Sequence, residues 1–354
     1  MPGYLYKMKA DGTGWQIIHT FRHEGSPPAF IGPQGAVVFD GVDSMLGTTA
    51  GDEPSGGNGT LYKVNVKTGV LTTLVEFTGT EGPHLGRRPS APLVPDGSGS
   101  FWGSTVRGGK NNTGTAFKYH LATGVLTTVA GGPDTPSAPG RRLGTVGALT
   151  SDGKGGWWWT VPTGGKQASG SILKVKADTG ELTTVVEFTM KHGGRTPLGS
   201  LVNDGRGFLW GTCAYGGKKN GTVFKVDANS GALATVVEFT GASGTNPGAS
   251  PMAALVDDGQ GFLWGSTEAG GSDDGGTVFK VDIASGVLTT LVEFQRNESR
   301  QKGYVPIGAL VNDGHGALLG TTRYGGKKVA GTIFKVDMKT GVLTTLVEFG
   351  KVGP

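Results

Sequence analysis

Gly276-Thr-Val-Phe-Lys-Val-Asp282, a short turn through Gly286, then Leu288-Thr-Thr-Leu-Val-Glu-Phe294 is one copy of a pattern that returns about every 55 residues along this chain. Its lysine falls at Lys7, Lys63, Lys118, Lys174, Lys225, Lys280 and Lys335, at spacings of 56, 55, 56, 51, 55 and 55 residues. A fixed period of that size marks an array of supersecondary units, each unable to bury its apolar face alone.

A second pattern sits between the copies: Ala-Leu-Val-Asn-Asp-Gly-x-Gly, then Phe-Leu-Trp-Gly-Thr, then Gly-Gly. Its turns lie at Asp96-Gly97, Asp152-Gly153, Asp204-Gly205, Asp258-Gly259 and Asp313-Gly314, with a degraded copy at Asp40-Gly41. Asp-Gly between two short apolar runs predicts a tight hairpin, because the turn needs a positive φ. Each unit therefore reads as two hairpins, strands A and B around the Asp-Gly turn and strands C and D around the turn after the lysine. Runs such as Thr-Val-Phe-Lys-Val are rich in β-branched and aromatic residues, and no stretch carries apolar residues at helical spacing. Four-stranded units of this length predict an all-β fold, a β-propeller of antiparallel blades.

Six A–B hairpins are expected, at 36–49, 91–105, 147–161, 199–213, 253–267 and 308–322, but seven C–D hairpins, the first at 4–21. The reading is one propeller domain over 1–354, with repeat units at 36–77, 91–130, 147–188, 199–239, 253–294 and 308–349 and a two-stranded half unit at 4–21. Seven blade positions are favoured over a six-bladed alternative, since an unused hairpin would leave exposed sheet edges.

The 354 residues include 67 glycines, placed periodically in turns, and a single cysteine. Cys213 excludes an internal disulfide and occupies a slot held by Thr49, Thr105, Thr267 and Thr322 elsewhere, which predicts a buried strand residue. No apolar run approaches the ~18 residues of a membrane span, and no leader is visible at Met1. The six histidines show no metal spacing, and no cofactor motif occurs, so no cofactor or metal is expected.

The run Leu209-Trp-Gly-Thr, Gly216-Gly217, then Gly221-Thr-Val-Phe-Lys-Val226 resembles the GloVer-type tandem repeat of bacterial surface and secreted proteins. The resemblance covers nearly the whole chain and is closest at 199–239, 253–294 and 308–349. It departs at Trp157-Trp158-Trp159 and at Ala130-Gly131, where the final Glu-Phe is lost. It implies a secreted or cell-surface propeller and carries over no catalytic residues.

Trp102, Trp158, Trp210 and Trp264 share a slot with Leu46 and Leu319, which predicts an apolar packing layer between blades rather than a ring of sugar platforms. Each Asp-Gly turn offers one carboxylate, which predicts an Asx turn and not a calcium loop. Glu76, Glu187, Glu238, Glu293 and Glu348 lie too far along the hairpin to meet its lysine and are expected as solvated edge charges.

In an up-and-down meander the B–C and D–A loops emerge at one end of each sheet. Those loop segments hold 18 Lys and Arg against 9 Asp and Glu, an excess of +9 in a chain of net charge +4, leaving −5 elsewhere. The expected binding residues are Arg87, Arg88, Arg107, Arg141, Arg142, Tyr215, Lys218, Lys219, Arg323, Tyr324, Lys327 and Lys328. Acidic exceptions sit at Asp52-Glu53, Glu268, Asp273 and Asp274. A polarised loop face of this kind points to a non-enzymatic binding or scaffold propeller with an anionic partner, an acidic glycan or protein surface, ahead of nucleic acid. The incomplete blade offers a route to self-assembly. The alternative is a carbohydrate-active or lyase-type enzyme with its site around His84, Arg87, Arg88 and Arg107.

Overall fold

The computed structural model describes residues 3–21, 32–51, 57–131, 147–165, 167–296 and 302–350. The fold is all-β and of the propeller class: six antiparallel sheets with the meander order A-B-C-D, and one two-stranded sheet made of β1 (Gly3–Lys7) and β2 (Gln16–Phe21). No helix among the described residues is long and apolar enough to cross a membrane. Internal contacts sort the chain into two compact units. The first comprises Met1–Lys9, Thr13–Gly164 and Ile172–Val185, and the second Ala10–Gly12, Gly165–Ser171 and Val186–Pro354.

In each full sheet strand C is sandwiched between B and D and is the most buried. Thr222–Asp227 and Thr277–Asp282 have only their lysines and terminal aspartates partly open. Strand A is short and broken. In the 91–130 blade it consists of Arg87–Pro89 and Val94–Pro95, both paired with the B strand Ser100–Arg107. Strand D slips by one residue against C at the same place in every regular blade, between Val223 and Phe224 and between Val278 and Phe279. Such a bulge adds local twist.

Neighbouring blades meet through one repeated aromatic contact, in which the phenylalanine ending strand D packs on the ring of the next strand C. Phe77–Phe117, Phe188–Phe224, Phe239–Phe279 and Phe294–Phe334 have centroids 5.0–5.2 Å apart at 59–66°. Rings in this tilted geometry bring the positive edge of one to the negative face of the other. The half unit obeys the same rule: Phe21 meets Tyr62 at 5.2 Å and 63°. Its strand slip falls between Leu5 and Tyr6, the equivalent place, and Leu5, Ile18 and Phe21 pack with Tyr62 and Val64 of the next sheet. The hairpin is thus the C–D half of a blade, packed as a blade.

The tryptophans of the shared slot are core residues, each at most 1% exposed. Cys213 is buried, and burial pushes its thiol pKa up. In the equivalent threonine slots a buried hydroxyl pair joins strands B and C, Thr105–Thr115 and Thr267–Thr277 at 2.9 Å.

Candidate functional site

The loop end of four blades is built from one repeated device on strand A: a pairing residue, a residue in the left-handed region, then proline. The sets are Arg87-Arg88-Pro89, Arg195-Thr196-Pro197, Ala249-Ser250-Pro251 and Tyr304-Val305-Pro306, with φ of 57°, 61°, 54° and 62° at the middle residue. A residue before proline ordinarily stays extended, and the left-handed region is costly for a branched side chain such as Val305 or Thr196, by about 1–3 kcal/mol. The compensation is a backbone bond to the preceding blade. The amides of Arg88, Thr196, Ser250 and Val305 donate to the carbonyls of Asn58, Ser169, Asn220 and Gly275, each at 2.8 Å.

The device aims its first residue at the residue ahead of Gly-Gly on strand B. Arg87 lies opposite Arg107, Arg195 opposite Tyr215, Ala249 opposite Ala269, and Tyr304 opposite Tyr324. The backbone pairing at this slot is constant while the side-chain chemistry changes from blade to blade. Arg195 holds its guanidinium 5.1 Å from the Tyr215 ring, within cation–π range. The rings of Tyr304 and Tyr324 stack at 5.5 Å and 27°.

In the first unit, Arg87 and Arg107 are brought together as a half-buried pair, and Arg88 is fixed by its backbone bond to Asn58. His84 turns Nδ1 to the carbonyl of Glu76 at 3.2 Å. In the second unit, Tyr215, Lys218 and Lys219 share one exposed loop, and Arg323, Tyr324, Lys327 and Lys328 another. Arg323 is engaged by Glu268 at 3.4 Å, and Arg296 by Asp274 at 3.5 Å, so the acidic exceptions of this unit are met by arginines of the following loops. Arg141, Arg142, Asp52 and Glu53 lie outside the described residues.

Two rim residues escaped the sequence-based list of binding residues, Arg195 and Tyr304. The signal that finds them is the proline two positions later, shared with Arg87 and Ala249. The glutamates also need correction, since they are more than solvated edge charges. Glu293 Oε2 accepts the Ser272 amide and Glu348 Oε2 the Lys327 amide, both at 2.8 Å, so these carboxylates tie strand D to the Gly-Gly loop of their own blade.

At the opposite end of each sheet the Asp-Gly aspartate forms the expected Asx turn. Asp204 Oδ1 accepts the amides of Arg206 and Phe208 at 2.8 and 3.0 Å. Its second oxygen takes the indole N–H of Trp210 at 2.9 Å, and Asp258 does the same for Trp264. The repeat lysine completes the set. Lys174 bonds Asp152 at 3.0 Å and Lys335 bonds Asp313 at 3.1 Å, while Lys225 and Lys280 lie 5.3 and 5.4 Å from the rings of Trp210 and Trp264. Burial would raise the Asp152 pKa. Hydrogen bonds from Lys174, the Lys154 amide, the Trp158 indole and the Gly156 amide outweigh it and hold that carboxyl below its usual range. The aspartate-indole-lysine set recurs with the fold and joins strands A, B and C of single blades, which assigns it to blade structure. Among the described residues no three His, Cys, Asp or Glu side chains converge as a metal ion would need.

Solved structures similar to this chain include a puromycin hydrolase, at TM-score 0.57 and 14% identity, covering 97% of this chain and 49% of that one. An oligogalacturonate lyase in complex with manganese matches at TM-score 0.54 and 11% identity, over 97% of this chain and 83% of that one. The chain thus spans about half the length of the puromycin hydrolase, and at these identities the likeness is one of fold. No curated protein matches the sequence. The model of the Gloeobacter/Verrucomicrobia repeat matches residues 86–253 and 145–353, and the chain, with its 55-residue period, Gly-Gly loops and four-stranded blades, belongs to that repeat family.

Proposed function

We propose that this chain is a non-enzymatic binding and scaffold propeller, secreted or held at the cell surface, whose basic loop ends engage an anionic partner such as an acidic glycan or protein surface. The observation that carries the reading is the disposition of charge at the loop ends of the second unit. Lys218, Lys219, Lys327 and Lys328 are exposed there, while Glu268 and Asp274 are engaged by arginines. Exposed cations on short loops create a local positive potential that attracts polyanions. The rim tyrosines and Arg195 add flat surfaces suited to the faces of sugar rings.

The test is retention of the full chain on immobilised polygalacturonate and dextran sulfate at low salt, followed by a salt gradient. Retention and elution by salt are expected, because exposed charges are screened over about 8 Å at physiological ionic strength. Replacing Lys218, Lys219, Lys327 and Lys328 by Ser moves elution to lower salt at unchanged melting temperature. Passage of the wild type straight through both matrices at low salt overturns the proposal.

A further inference from the structure

Among the described residues the half blade has an open edge, and the repeat itself specifies what fits there. In the other sheets strand C is covered on one side by D and on the other by B, with fixed partners: Lys225 faces Trp210, Phe224 faces Gly211, Val223 faces Thr212 and Thr222 faces Cys213. β1 is the C strand of the half blade and pairs, among the described residues, with β2 alone. The consequence is visible in exposure: Tyr4 is 39% exposed where its equivalent Thr222 is 1% exposed, and Leu5 and Tyr6 are half-buried where Val223 and Phe224 are sealed.

The rest of the half blade is already set for a full one. Besides the Phe21–Tyr62 contact and the shared strand slip, a Cβ on Gly3 would fall 2.7 Å from Pro33 Cδ, as one on Gly221 would fall 2.6 Å from Pro251 Cδ. Lys7, which in the other blades would meet the Asp-Gly aspartate, instead donates to the Val66 carbonyl at 3.3 Å. An open strand edge with a preset register is a site for strand addition.

We infer that β1 is a docking edge for an A–B hairpin of this same repeat carried by another polypeptide. The hairpin adds antiparallel to β1 with Trp or Leu opposite Lys7, Gly opposite Tyr6, and Thr opposite Leu5 and Tyr4, and its Asp-Gly carboxylate meets the Lys7 ammonium. The glycine is the specificity determinant. In the 36–77 blade the C-strand ring is also a tyrosine, and the Tyr62 hydroxyl occupies the space a Cβ on Gly47 would need. This inference rests on the fold and is independent of the charge at the loop ends.

The experiment uses the full chain and a labelled peptide with the sequence of residues 199–213 bearing Cys213→Thr. Saturable one-to-one binding is expected, little changed between low and high salt, with hydrogen exchange at Gly3–Lys7 slowed at least about tenfold. A peptide carrying Gly211→Val in addition is expected to bind at least about tenfold more weakly, since its branched side chain meets the Tyr6 ring. Three outcomes overturn the inference: no binding, equal binding of the valine peptide, or protection that falls elsewhere than β1. A chain that by itself forms a dimer with Gly3–Lys7 already protected also overturns it, because two β1 edges would then be pairing with each other. The salt-insensitive readout separates failure here from failure of the polyanion reading.

Discussion

The 199–239 blade and the 147–188 blade fill the same position on strand B in opposite ways, with Gly211 in one and Trp159 in the other. In the regular blade a Cβ at Gly211 would fall 2.6 Å from Phe224 Cζ and 2.9 Å from Leu201 Cδ2, so the ring of strand C owns that space. In the irregular blade strand C carries Leu173 instead of phenylalanine, and Trp159 lies beside Leu173, Ala130 and Trp157 in one buried cluster. The blade contact changes with it, from tilted phenylalanines to Trp102 and Trp157 stacked at 4.7 Å and 21°. The indole N–H groups show the cost. Trp210 donates to Asp204 and its equivalent Trp158 to Asp152, whereas the added Trp159 finds no acceptor among the described residues, and a buried unsatisfied donor costs about 1–3 kcal/mol.

The largest effect is expected from forcing one solution onto the other: Gly211→Trp, with Phe224 and Leu201 in place, leaves no room even for its Cβ. No cooperative unfolding transition should remain in a thermal melt, since overpacking by far smaller increments already costs about 1–3 kcal/mol. A melt close to wild type would show that the blade repacks freely and would dissolve the comparison.

Next comes Trp210→Ala, expected to cost about 3–5 kcal/mol in denaturant unfolding, as for other buried aromatic truncations. The loss should exceed that of Trp102→Ala, whose indole N–H has no acceptor to lose.

The exchange itself is tested by Trp159→Gly, expected to cost about 3–5 kcal/mol through the cavity it leaves, and by Trp159→Gly with Leu173→Phe. If ring and glycine are alternative fillings of one space, the double variant recovers a substantial part of the loss. Additive losses would instead mean that the two positions do not share it.

A smaller effect separates the turn ends. The Asp152 carboxyl has a pKa held below its unfolded value, so its contribution is fully present above about pH 4 and is lost as pH falls through the folded-state pKa. Asp152→Asn should lower stability by about 1–3 kcal/mol at pH 7 and flatten part of the acid-side decline of the melting temperature. An unchanged acid limb would show that other carboxylates carry it.

The repeat lysines, the Asp-Gly turns and the apolar tryptophan slot were readable because each recurs at one offset, and all three took their expected places. The pairing of the repeat lysine with the Asp-Gly aspartate was not readable, since the two residues of a pair stand some 22 positions apart, as Asp152 and Lys174 do, on different hairpins. The rim was half readable. Tyr215, Tyr324 and Arg107 precede Gly-Gly and announce themselves, and Arg87 was expected beside Arg107, but Arg195 and Tyr304 come from the segment that opens strand A and meet Tyr215 and Tyr324 only once A folds onto B.

By itself the sequence determined the period, the strand content, the turn positions and the surplus hairpin, because these follow from local preference: alternation of side chains, positive φ at glycine, and the exclusion of helix by β-branched runs. Only the tertiary structure decided how neighbouring blades share space. Whether a strand position takes glycine or tryptophan depends on the ring facing it from strand C, and whether a left-handed Val305 or Thr196 survives depends on a carbonyl offered by the preceding blade. Those are close-packing and hydrogen-bond constraints between segments tens of residues apart, and they exist only once the blades are side by side.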